Sequence, residues 1–105
     1  MPEYLYRIRP VRADMLLHGT TSAEDAVIEA HFAYPQAAVV QGVVLLAGRT
    51  LTTDPASFGI VILQAASEAE AETFMRADPA VSAGIMNAEL YPFRVALLAD
   101  SWGVG

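Results

Sequence analysis

The stretch Val43–Gln64, VVLLAGRTLTTDPASFGIVILQ, decides the fold. Its two arms, Val43 to Thr50 and Phe58 to Gln64, are apolar at both alternating parities and too short for helices. Between them Leu51 to Ser57 carries Asp54 and Pro55, which favour turns. The segment reads as a hairpin of two strands buried on both faces.

Working outward, helical patterns flank this hairpin on both sides. Upstream, Thr21 and Glu24 have capping-box spacing, and Val27, Ile28, His31 and Phe32 recur at three and four residues on one apolar face. Pro35 lies inside that pattern. Its ring removes the hydrogen bond to the His31 carbonyl, so a kink or restart is expected near residues 31 to 35, and Gly42 supplies the left-handed stop. Downstream, Ser67 and Glu70 form a second capping box, followed by Ala71, Phe74 and Met75, until Pro79 ends the helix at Asp78.

The outermost segments are strands. Tyr4 to Val11 alternates Tyr4, Tyr6 and Ile8 with Leu5, Arg7 and Arg9, and after a small-residue turn at Ala80 to Gly84, Ile85 to Leu98 reads as a long last strand. The order strand, helix, strand, strand, helix, strand predicts an α+β, ferredoxin-like antiparallel sheet with both helices on one face. No linker, repeat or charge run divides the 105 residues, so residues 1–105 are read as one domain, with a core of about 4–98 and a tail over 99–105.

Composition sharpens this reading. Hydrophobic residues make up 54% and charged ones 17%, low against about 25% charged in an average domain, and the second, third and fourth strands are apolar on both faces. Two helices cover one face, so a second copy is expected on the other, giving a dimeric α+β barrel or a higher homo-oligomer. The net charge of −6 and six scattered arginines offer no basic patch for phosphates, which argues against nucleic acid. No run approaches the roughly 18 to 20 apolar residues of a membrane span. Cysteine is absent, excluding disulfides and thiolate metal sites, and the opening Met-Pro-Glu-Tyr lacks the pattern of a secretory signal, so a cytoplasmic protein is expected.

Few residues carry chemistry. His31, on an apolar helix face, suits either an acid/base imidazole or a core histidine bonded to backbone. Asp78 sits where a helix dipole disfavours an acid, which suits either a specific partner or a plain Asp-Pro terminator. His18 lies in a loop that either borders a pocket or meets water. Arg49, at a strand end, is a candidate for an anionic substrate group or simply a solvated charge. The tyrosines, Tyr34 among them, suit an aromatic pocket or ordinary sheet packing. The two histidines lack i, i+4 spacing and no metal or cofactor motif is present, so neither metal nor cofactor is expected.

The segments His31-Phe32-Ala33-Tyr34, Leu46-Ala47-Gly48, Ala66 to Ala71, Ala77 to Gly84 and Leu90-Tyr91-Pro92-Phe93 together resemble the YCII-related (YciI-like) family, over roughly residues 4 to 98. The resemblance implies the dimeric ferredoxin-like fold and a His/Asp pair, carried by position onto His31 and Asp78, in a pocket near the dimer interface. It further implies acid/base chemistry of the lyase or dehydrochlorinase kind on a small, often aromatic compound, with Arg49, His18 and Tyr34 as candidates for binding it. Two positions depart from the family pattern: Glu29 where a basic residue is usual before the histidine, and Arg49 where proline usually follows Ala-Gly. The rival readings are a noncatalytic metabolite-binding dimer, and a cofactor-independent monooxygenase or muconolactone-isomerase-like enzyme of the same fold.

Overall fold

The structure, a computed structural model, describes residues 1–11, 22–52 and 56–99. Strand β1 (Glu3–Pro10) is followed by helix α1 (Ser22–Val40), the hairpin β2 (Val44–Arg49) and β3 (Gly59–Gln64), helix α2 (Glu68–Arg76), the short helix α3 (Pro79–Ser82) and strand β4 (Met86–Phe93). The four strands form one antiparallel sheet in the order β2-β3-β1-β4, the ferredoxin-like arrangement expected. The expected Thr21 cap and the Asp54-Pro55 turn lie outside the described residues, as does the tail from Asp100.

β1 lies inside the sheet with its inward row Tyr4, Tyr6 and Ile8 buried. Tyr6 stands opposite Val61 on β3 and Leu90 on β4, so the buried rows of β1 and β3 and the half-buried row of β4 meet on the face that the helices cover. Ala38 of α1 and Ala71 and Met75 of α2 close this core. α2 starts as read: the Ser67 side chain accepts from the Glu70 N–H, and Glu70 reaches back to the Ala66 N–H. Gly42 and Gly84, with φ of 78° and 77°, end α1 and α3, each followed by a residue whose N–H closes the six-residue loop of a Schellman turn.

Four expectations are corrected. α1 runs from Ser22 to Val40 without restarting at Pro35. Proline removes a single bond, to the His31 carbonyl; the ladder on either side remains, and the Pro35 ring is buried. The turn expected at Ala80 to Gly84 holds α3, whose first turn is capped by Asp78. The last strand stops at Phe93 rather than Leu98: Phe93 faces Glu3, the first residue of β1, and the Pro2 backbone before it is engaged on the other side, its carbonyl accepting from the Ala65 N–H at 3.1 Å. Val95 N–H turns instead to the Glu3 carboxylate, and Leu97 and Leu98 are exposed.

The last correction concerns β2. Val44 faces Leu63 and Leu46 faces Ile62, so Leu45 is an extra residue, a β-bulge. Val44 and Leu46, which alternation alone puts on one face, are therefore on opposite ones: Val44 is in the core while Leu46 joins Ile62 on the helix-free face. Among the described residues no helix is long and apolar enough to cross a membrane.

Candidate active site

Asp78 is fully buried and is the hub of the site. It follows α2 and caps α3, with Pro79 in the first helical position and the Asp78 Oδ1 accepting from the Ala80 N–H at 3.0 Å. Its awkward place at the end of one helix is thus a favourable place at the start of the next. The same Oδ1 lies 2.6 Å from His31 Nδ1, and Oδ2 accepts from the Tyr6 hydroxyl at 3.1 Å. Three elements far apart in sequence, β1, α1 and the α2–α3 junction, converge on one carboxylate.

With Nδ1–H donating to Asp78, the neutral His31 ring keeps its lone pair on Nε2. His31 is part-buried, and its side chain forms part of the wall of a cavity of about 780 Å³ between α1 and the sheet. That volume falls within the roughly 300 to 1,000 Å³ typical of small-molecule sites. The wall is mainly apolar, with Ile28, Val39, Phe58 and Met86 among its members, and its polar side chains are His31, Gln36, Arg49 and Ser57. Ser57 is itself buried and bonded to the Thr50 hydroxyl at 3.1 Å.

The expected residues separate on this geometry. His31, Asp78 and Arg49 are brought together, the first and last on the cavity wall and Asp78 directly behind His31. Tyr34 is not on that wall: its hydroxyl donates to the Phe74 carbonyl at 2.9 Å and its ring packs on the Phe74 ring at 4.7 Å, so it braces α1 against α2. Burial, and then the negative charge of Asp78, push its phenol above the ordinary range. His18 lies outside the described residues. Among those described, no group of three or more histidine, aspartate or glutamate side chains is placed to hold a metal ion.

Sequence reasoning missed Tyr6 as a member of the site. Burial and the adjacent Asp78 raise its phenol far above the usual value, so it is a neutral donor throughout the physiological range. The signal was present in the inward parity of β1, since a buried tyrosine hydroxyl needs a partner.

No curated protein matches the chain. Among solved structures, the 5-chloro-2-hydroxyhydroquinone dehydrochlorinase of Burkholderia phenoliruptrix, in complex with 2,5-dihydroxybenzoquinone, superposes with a TM-score of 0.61 at 20% identity, over 87% of this chain and 93% of that one. At that identity the likeness is one of fold. The profile of the YCII-related domain matches residues 5–94, nearly the whole described core, and the chain belongs to that family.

Proposed function

We propose that the protein is a cofactor-independent acid/base enzyme acting on a small organic compound, with His31 as the proton-transferring group and Asp78 as the residue that orients it. The observation that carries this reading is the 2.6 Å contact between His31 Nδ1 and Asp78 Oδ1 at the wall of an open cavity. A buried carboxylate fixes the tautomer, leaves Nε2 basic and stabilises the imidazolium that forms when Nε2 takes a proton. In an elimination from the keto tautomer of a chlorinated hydroquinone, whose chlorine-bearing carbon is tetrahedral, Nε2 removes a proton from a ring hydroxyl, the carbonyl forms as the ring double bond shifts to the chlorine-bearing carbon, chloride departs with its electron pair, and the imidazolium returns its proton to water. The neighbour's name gives dehydrochlorination as one such reaction.

We further infer that a second copy covers the helix-free face of the sheet. Tyr91 and Phe93 are exposed on β4 and Leu45 on β2, and a hollow of about 410 Å³ opens between Leu45, Leu46, Ile62 and residues 93–98. Sedimentation in dilute buffer should give twice the chain mass.

The catalytic reading is tested with a panel of chlorinated hydroquinones, 5-chloro-2-hydroxyhydroquinone among them, by following chloride release. Turnover of at least one member, abolished in H31N while the fold persists, is the expected result. A wild-type protein inert toward the whole panel, or an H31N variant as active as wild type, would leave a noncatalytic binding dimer as the better reading.

A further inference from the structure

A single extra residue decides what stands at the cavity wall. Counting by strict alternation from Val44, which is in the core, Arg49 belongs on the helix-free face. The bulge at Leu45 inverts that parity and sets Arg49 opposite Gly59. Gly59 begins the buried row Gly59, Val61 and Leu63, so the guanidinium is carried round to the helix side, where it lines the cavity with His31. Bulges are over-represented beside active sites because they re-aim a side chain in this way. The cross-strand partner has no side chain to crowd the guanidinium, and a Cβ at Gly59 would come within 3.2 Å of the Ile8 side chain and 3.3 Å of the Gly48 carbonyl oxygen.

The charges around Arg49 are as telling as its position. The chain has twelve acidic and six basic residues, yet among the described residues lining the cavity there is no carboxylate, and Arg49 is the sole permanent charge. Arg7 and Arg9 are paired with Glu89 and Arg76 with Glu72, whereas Arg49, like Arg94 at the hollow on the opposite face, forms no ion pair with a described residue. A net-negative protein thus keeps an uncommitted cation at an apolar cavity. An anion entering such a site loses its hydration, and a guanidinium fork with two parallel N–H donors is the group best shaped to replace it.

We infer that the ligand of this cavity is a small organic anion with an apolar body, its carboxylate or oxyanion held by Arg49 and its reacting bond presented to His31. The role given to His31 rests on the acid/base reading above, whereas binding of the anion by Arg49 does not. Benzoate and benzamide match in shape and differ in charge, so calorimetric titration of the intact protein with each is the test. Benzoate is expected to bind at least about tenfold more tightly than benzamide, and R49Q to weaken benzoate about ten- to hundredfold, the range of a charge-assisted hydrogen bond.

R49K should recover part of that loss. R94Q, at the hollow on the opposite face, should change nothing, and H31N should still bind benzoate. Arg49 is exposed, and an unchanged circular dichroism spectrum of R49Q would show that the fold is intact. Equal binding of the two probes, absence of benzoate binding, undiminished affinity in R49Q, or an equal loss in R94Q would each overturn the inference. A protein that binds benzoate through Arg49 but turns over no substrate would leave this inference standing and sink the acid/base reading.

Discussion

Each face of the sheet carries a carboxylate that holds a tyrosine phenol and a nitrogen side chain, in opposite surroundings. On the helix side the Asp78 carboxylate holds an imidazole and a phenol, His31 and Tyr6, with no exposure of its own. On the helix-free side the Glu89 carboxylate holds a guanidinium and a phenol, Arg7 and Tyr91, both at 2.8 Å, with Arg9 at 3.7 Å. Distances barely distinguish them. Burial does: desolvation leads the causes that raise the Tyr6 phenol, whereas for Tyr91 the hydrogen bond to Glu89 comes first. A carboxylate network thus acquires energetic weight, and a fixed proton arrangement, from exclusion of water rather than from contact geometry.

Breaking the buried triad should therefore have the largest effect. Asp78→Ala strands the Tyr6 hydroxyl, the Ala80 N–H and the His31 ring together, and a loss of about 3 to 5 kcal/mol in urea unfolding is expected. Asp78→Asn keeps the helix cap and should recover much of that stability without restoring turnover. Tyr6→Phe removes one donor and leaves Asp78 Oδ2 unpaired, for a loss of about 1 to 2 kcal/mol. The smallest effect is expected from Glu89→Gln, whose partners are in water and screened by salt. That last expectation also reports on the helix-free face: if a second copy covers it, the Glu89→Gln effect should grow with protein concentration.

The pH dependence sharpens the contrast further. The Tyr6 phenol is raised in the fold, so its contribution is complete below the unfolded value of about 10 and fades as pH climbs above it. Glu89 is depressed, chiefly by its hydrogen bond from Arg7, so its contribution is present above the unfolded value of about 4.3 and is lost as pH falls toward the folded one. Melting curves from pH 3 to 11 should show the alkaline loss reduced in Tyr6→Phe and the acid loss reduced in Glu89→Gln.

What could be read in advance was what repeats. The alternation of β1, the helical spacing of His31 with Val27 and Ile28, and the doubly apolar hairpin arms carried the strand and helix order to the observed sheet. What escaped was set by single events of packing and register. The bulge at Leu45 has no local signal, because Val43 to Leu46 is apolar at every position, yet it decides which face Arg49 serves. The continuity of α1 through Pro35 reflects burial of the proline ring, and the end of β4 at Phe93 reflects where β1 begins. Asp78 looked like a terminator and is one, and its second function becomes visible when β1 and α1 deliver Tyr6 and His31 to the same carboxylate. The pairing of His31 with Asp78 came from family resemblance, since spacing alone does not connect residues on separate helices.

Everything proposed for His31 depends on Asp78 holding the ring with the proton on Nδ1 and leaving Nε2 free for chemistry. Nitrogen-15 NMR of the imidazole rings, recorded at a pH where they are neutral and with His18→Gln used to assign the two histidines, measures this directly. A protonated Nδ1 and an unprotonated Nε2 are expected for His31, a preference lost in Asp78→Asn. A His31 ring protonated at Nε2 in the folded wild-type protein would contradict it.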